Sequence, residues 1–180
     1  SITEKLTTAL QLSENKLEHC FGPEYRLLII GMSETARFLA SFAKTLEFSI
    51  TICEPRQDIL RRSKSSSSDV EVCCCLPDDL IRERFHDPYT AIVALAHDPK
   101  VDDLALMEAL YTKAFYVGAM GSIKSTDKRL SRLAKLDIPQ RLIERLHAPI
   151  GLHIGSKTPA EIAISILAEL IQFKSNAKES

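Results

Sequence analysis

The sequence predicts a doubly wound α/β domain: an open parallel sheet of strand order 3-2-1-4-5, with room for a sixth strand, and helices on both faces. Three observations carry this expectation. Short, continuously apolar runs such as RLLIIG (26–31) and TAIVALA (90–96) recur along the chain, and strands buried on both faces of a parallel sheet read that way. Between them lie stretches whose apolar residues recur at three and four positions, the period of a helix with one buried face. Strand and helix therefore alternate. Parallel strands need crossover helices between them, so a Rossmann-like open sheet is the simplest arrangement.

The 180 residues suit one domain and leave little room for two. Apolar residues make up 45% and charged residues 26%, with a formal net charge of -1. That balance offers nucleic acid no basic field. No run approaches the roughly 18 apolar residues that a membrane-spanning helix needs, and the N-terminal stretch lacks the apolar core of a signal peptide. A cytoplasmic protein with no membrane or nucleic-acid partner is expected.

Residues 2–19 carry Ile2, Leu6, Leu10, Leu12 and Leu17, a stripe that ends before Gly22-Pro23. Residues 1–22 are therefore expected to form an N-terminal helical extension, ahead of a domain spanning 23–180. The first strand is RLLIIG (26–31), and Ser33 can cap the helix ETARFLASFAKTLE (34–47). FSITICEP (48–55) is the second strand, stopped by Pro55. A serine-rich surface loop, RRSKSSSSD (61–69), leads to a third strand, DVEVCCC (69–75), and a short helix, PDDLIRERF (77–85). TAIVALA (90–96) is the fourth strand, followed by the helix VDDLALMEALYT (101–112), with Asp102 and Asp103 near its positive end. AFYVGAMG (114–121) is the fifth strand and SIKSTDKRLSRLAKL (122–136) an amphipathic helix, with a short helix near 139–146. APIGLHIG (148–155) reads as a sixth strand or extended segment. The closing helix, TPAEIAISILAELIQF (158–173), has Thr158 as N-cap, Pro159 in its first turn and Glu161 completing a capping box.

Ligands of an open parallel sheet bind beyond the carboxyl ends of its strands, near the switch point beside the first strand. Those ends are Gly31–Thr35, Glu54–Arg56, His97–Lys100 and Gly118–Ser122. GMSETA (31–36) stands where a dinucleotide fingerprint reads G-x-G-x-x-G/A. Gly31 supplies the turn and Ala36 the close packing, but Ser33 replaces the glycine that admits a pyrophosphate. Glu54 follows Gly31 by 23 positions, near where an acid would take a ribose diol. NAD(P) binding is accordingly expected to be weak or absent. The pair His97 and Asp98 suits acid–base work, a metal or a helix cap. Gly118, Gly121, Ser122 and Lys124 suit either a phosphate seat at a helix N-terminus or a tight turn. His147 and His153 are six apart in an extended segment, and without a third ligand they predict no metal site.

Five cysteines, Cys20, Cys53, Cys73, Cys74 and Cys75, follow no CxxC spacing. Three in succession on a strand point to alternate faces, which suits neither a disulfide framework nor a zinc site. They read as small buried residues in a reducing compartment, with a sulfur-handling thiol as the alternative.

HDPK (97–100), FYVGAMGS (115–122), RLSRL (129–133) and HAPIGLHIGSKTPAE (147–161) together resemble the Rossmann domain of XdhC/CoxI proteins, over about 26–173. The resemblance implies a maturation factor that holds the molybdenum cofactor and helps install it in xanthine dehydrogenase and related molybdenum hydroxylases, not an enzyme in its own right. On this reading Gly31, Ser33, Glu54, His97, Asp98, Gly118, Gly121, Ser122 and Lys124 bind molybdopterin or a nucleotide. Three departures from the family pattern stand out. Ser33 and Glu34 replace a glycine and a histidine of the first loop. His153 replaces an acid in GLHIG (151–155). Where the family carries a separate N-terminal domain, this chain has room for a helix, as expected of a stand-alone relative or a fragment. The family tends to pair, and the closing helix is apolar over more than one stripe, so a homodimer is expected. Two rival readings are a nicotinamide-dependent oxidoreductase, with Glu54 on the ribose and His97 as proton donor, and a non-catalytic interaction module whose nucleotide site has decayed.

Overall fold

The computed structural model describes residues 10–13, 16–19, 24–63 and 69–179. At the N-terminus the expected helix gives way, over its described part, to a hairpin. Strand β1 (Leu10–Ser13) pairs antiparallel with β2 (Lys16–His19), Leu10 opposite His19 and Ser13 opposite Lys16. Leu10 and Leu12 are two apart, which fits the period of a strand as well as a loose helical stripe. The remainder of the expected extension, and residues 64–68 of the serine-rich loop, lie outside the described residues.

Six further strands form one sheet: β3 (Arg26–Ile30), β4 (Ser49–Cys53), β5 (Glu71–Cys73), β6 (Thr90–Ala94), β7 (Tyr116–Ala119) and β8 (Leu146–His147). Their order is β5-β4-β3-β6-β7-β8 and every pairing is parallel. This is the expected 3-2-1-4-5 sheet with a sixth strand added. That strand lies earlier than expected, at Leu146–His147, with Leu146 opposite Val117. Pro149 has no N–H to give a ladder and Gly151 turns at φ 95°, so 148–155 leaves the sheet as a loop.

The helices are α1 (Glu34–Lys44), α2 (Gln57–Arg62), α3 (Pro77–Arg84), α4 (Pro99–Ala109), α5 (Ile123–Lys135), α6 (Gln140–Ile143) and α7 (Pro159–Glu179). Alternate residues of each strand feed two separate cores. Leu28, Ile30, Ile92 and Ala94 pack with Leu80 and Ile81 of α3, Ala105 and Leu106 of α4, and Leu133 of α5. Leu27, Ile29, Ile50, Ile52 and Val93 pack on the other face with Leu39 of α1 and Ile166 and Leu170 of α7. The capping box forms as the sequence indicates: Lys157 N and Thr158 N donate to Glu161, and Glu161 N donates to Thr158 Oγ1 at 3.3 Å.

The cysteine run alternates: Cys73 and Cys75 lean into the core, Cys74 is exposed, and Cys53 is buried beside them. Cys53 donates to the Cys75 carbonyl at 3.3 Å. Burial pushes the thiols of Cys53 and Cys73 up, away from the thiolate form that sulfur chemistry needs.

Candidate functional site

The switch point lies where β3 and β6 part towards opposite faces, β3 into α1 and β6 into α4. Gly31 turns there at φ 90°, and a Cβ on it would come within 2.3 Å of Ala96 Cα. Glycine is what lets the two strand ends meet. Ser33 caps α1, its hydroxyl accepting from Ala36 N at 3.2 Å.

Glu54 is fully buried beneath this turn. Its Oε1 accepts from Arg56 N at 3.0 Å and Arg56 Nε at 2.8 Å, and its Oε2 from Met32 N and Arg56 Nη2, both at 2.9 Å. A carboxylate offers about four acceptor positions, and all are used within the protein. Burial alone would raise its pKa, but the hydrogen bonds from Arg56 and Met32 prevail and hold it below the usual value. Glu54 is thus turned inward, a strut for the first loop, and not a hand extended to a ribose. Arg56 reaches on towards Asp98 at 3.7 Å.

Asp98 caps α4, accepting from Lys100 N at 3.0 Å, which is the cap among its three candidate roles. His97 is exposed, with a left-handed φ of 58°, and borders two clefts. The smaller, about 360 Å³, lies over Ser33, Glu34 and Arg56. The larger, about 810 Å³, opens between the first turns of α4 and α5 and the loop 149–156. Gly121 and Ser122 line it, and Ser122 caps α5 by accepting from Ser125 N at 3.1 Å. Gly118 does not line it: buried in β7, it makes room for Ile150. Lys124 is exposed outside its lining.

Two charged residues that sequence reasoning did not place in the site form part of the larger cleft, Asp102 of α4 and Arg129 of α5. Asp102 is 1% exposed. Its Oδ1 accepts from Ala96 N at 3.0 Å, while Oδ2 lies 3.8 Å from Arg129 Nη2, beyond hydrogen-bond reach. Arg129 donates instead to Asp103 at 3.2 Å and to the Met120 carbonyl at 3.1 Å. Burial pushes the Asp102 carboxyl up to about 6, against the Ala96 N–H and the Arg129 charge. The available signal was its spacing from the Asp98 cap: four residues is one helical turn, which returns Asp102 to the end of β6.

The opposite wall comes from the loop after β8. Gly151 N donates to Glu169 Oε2 at 2.7 Å, the Tyr116 hydroxyl donates to the same oxygen, and His147 stacks on Tyr116 at 4.6 Å. Tied down in this way, the loop presents Leu152, His153 and Ile154 to the cleft. His147 lies behind the loop, where burial lowers its pKa, so the two histidines part company. Among the described residues no group of three or more His, Cys, Asp or Glu is placed to hold a metal ion.

The Asp102 carboxyl makes a measurable demand on stability. Its folded pKa of about 6 exceeds the ordinary 3.8, so the native state keeps a proton that the unfolded chain releases between those values. Stability then falls as pH rises from about 4 to about 6, by about 3 kcal/mol in total. Asp102→Asn keeps an acceptor for Ala96 N without the buried charge. In urea titrations the variant is expected to be more stable than the parent by about 1–3 kcal/mol at pH 8, and equal to it at pH 3.5. No gain at pH 8 would count against a strained carboxylate.

An open, all-parallel sheet of this order with helices on both faces defines a Rossmann-type domain. The family model described as the XdhC Rossmann domain matches residues 27–170, and the chain belongs to that family. It is 29% identical over 167 residues to the uncharacterized protein YqeB of Escherichia coli, covering 87% of this chain and 28% of that protein. It is 27% identical to a probable xanthine dehydrogenase subunit of Bacillus subtilis, covering 83% of this chain and 43% of that protein. It is also 27% identical to the molybdenum cofactor insertion chaperone PaoD of Escherichia coli, covering 92% of this chain and 45% of that protein. A crystal structure of a xanthine dehydrogenase from Bacillus halodurans superposes with a TM-score of 0.72 at 29% identity, over 87% of this chain and 44% of that one. The chain spans less than half the length of each of these relatives. Among the described residues no helix is long and apolar enough to cross a membrane.

Proposed function

We propose that this chain binds the phosphorylated pterin of the molybdenum cofactor in the larger cleft and serves as a carrier for its insertion into a molybdenum hydroxylase. The observation that carries this reading is the coincidence of family membership with a cleft of about 810 Å³ at the carboxyl edge. The cleft is of a size that takes a small ligand. Its residues fit such a group: apolar walls for a ring, an incompletely paired carboxylate, and the Ser122-capped N-terminus of α5 for a phosphate. The bound cofactor would supply the redox metal, while the chain holds and releases it. The nicotinamide reading loses its ribose-binding acid, because every acceptor of Glu54 is occupied.

The test is mass spectrometry of ligand released from protein purified out of cells that make molybdopterin. A pterin is expected. A nicotinamide dinucleotide would favour the oxidoreductase, and neither ligand would favour an interaction module. In the same preparation, light scattering is expected to give a dimer of the 20.1 kDa chain. Ile166 is in the core and cannot mediate pairing, whereas Ile164 and Ile171 are exposed on the outer side of α7. Ile164→Glu with Ile171→Glu should return the monomer, and a parent that is already monomeric would overturn pairing.

A further inference from the structure

The wall that the first turn of α4 lends to the larger cleft, beside α5, holds a carboxylate with an open acceptor. Asp102 is buried, yet Oδ2 has no donor within hydrogen-bond reach and Oδ1 uses one lone pair on Ala96 N. An acceptor that lines the cleft with no donor on it is open to a donor from a ligand. The missing interaction is a hydrogen bond and not a charge, since Arg129 already faces the carboxylate at 3.8 Å and no metal-holding group is found among the described residues. Met120, Ile123, Ile150, Leu152, Ile154 and Ile162 share the cleft lining with it. Ile123 is 75% and Ile154 57% exposed, although both face one cleft. Two large aliphatic side chains left wet at one mouth fit a flat ring laid against them.

We propose that the larger cleft reads a planar nitrogen heterocycle by its adjacent ring N–H and exocyclic amine, both donating to Asp102. That donor pair is the 2-aminopyrimidin-4-one edge shared by guanines and pterins. The proposal rests on the cofactor-binding reading above and adds the group that selects the ring. Adenine sets a ring acceptor where the carboxylate needs a donor. Xanthine sets a carbonyl where it needs the amine. A site with buried polar groups rejects such analogues strongly, because the mismatch leaves those groups unpaired.

Calorimetry on the full chain with 6-hydroxymethylpterin, GMP, AMP and XMP tests this. The pterin ring or GMP, or both, should bind about tenfold or more tighter than AMP and XMP, and the two favoured probes separate a pterin site from a guanine-nucleotide site. Asp102→Asn, a variant expected to fold at least as well as the parent, should lose that preference by a similar factor and gain XMP, since an amide can donate to the 2-carbonyl. Ile154→Asp, a change at an exposed position, should weaken the ring probes without changing the preference among them. Equal binding of all four probes overturns the inference, as does a preference that ignores Asp102→Asn. If protein carrying a pterin from cells shows either result, the inference fails alone and the carrier reading stands. A parent chain that carries no pterin and binds none of the probes overturns both.

Discussion

Gly31→Ala is expected to destabilise the folded protein severely. The new Cβ would meet Ala96 at Cα, Cβ and N, at 2.3, 2.5 and 2.7 Å. These atoms belong to the chain leaving β6, which the parallel ladder fixes opposite β3, so no flexible side chain can yield. The φ of 90° adds strain of its own for any L side chain. Overlap and strain together should cost about 4 kcal/mol or more, against a stability of about 5–15 kcal/mol for ordinary domains. Gly155→Ala is the control: its φ is 76°, but a Cβ there meets nothing within 4 Å. That variant should lose only about 1–2 kcal/mol from backbone strain. Urea unfolding followed by circular dichroism measures both. Equal losses would show that the contact with Ala96 is not felt.

The sheet was legible in the sequence because its signals are local. RLLIIG, FSITIC and TAIVALA each carry enough continuous apolar character to be strands buried on both faces, and chain connectivity leaves few orders for them. The N-terminal segment misled because three leucines serve two periods, and the sixth strand because its two residues are too short to show any period. At the candidate site, the sequence marked loops that line the two clefts but not the direction in which side chains face. Glu54 has the position of a ribose-binding acid and is instead consumed by Arg56, two residues on. Asp102 has the position of a dipole-stabilising acid and instead lines the cleft. Both outcomes depend on hydrogen bonds made after the strands assemble, to Met32 N in one case and Ala96 N in the other. The spacing from the Asp98 cap returns Asp102 to the end of β6, but the hydrogen bond it accepts there from Ala96 N exists only in the assembled sheet.

The inward turn of Glu54 carries the second large expectation. Glu54→Ala leaves the N–H groups of Met32 and Arg56 without their acceptor, and leaves the Arg56 guanidinium with the weaker company of Asp98 at 3.7 Å and the field of Asp102. Arg56 is partly exposed while Glu54 is buried, so the loss should be about 2–4 kcal/mol, below that for a fully buried pair. Glu54→Gln should cost less, because an amide oxygen can still take part of the donor set. The pH dependence has a definite sign. The folded pKa lies below 4.5, so the contribution of Glu54 is present in full above that value and fades as pH falls through the folded pKa. The parent should therefore lose its advantage over Glu54→Gln in acid while keeping it at pH 7. A double-mutant cycle with Arg56→Ala at pH 7 isolates the pair, with a coupling of about 1–3 kcal/mol. The same variants bear on ligand recognition: Glu54 and Asp98 between them hold Arg56 over the smaller cleft. If Glu54 acts as a strut, Glu54→Gln lowers the unfolding midpoint but leaves the selectivity of the larger cleft among ring probes intact. If that selectivity shifts along with stability, Glu54 reaches the ligand after all, and the inward orientation is not the one that governs binding.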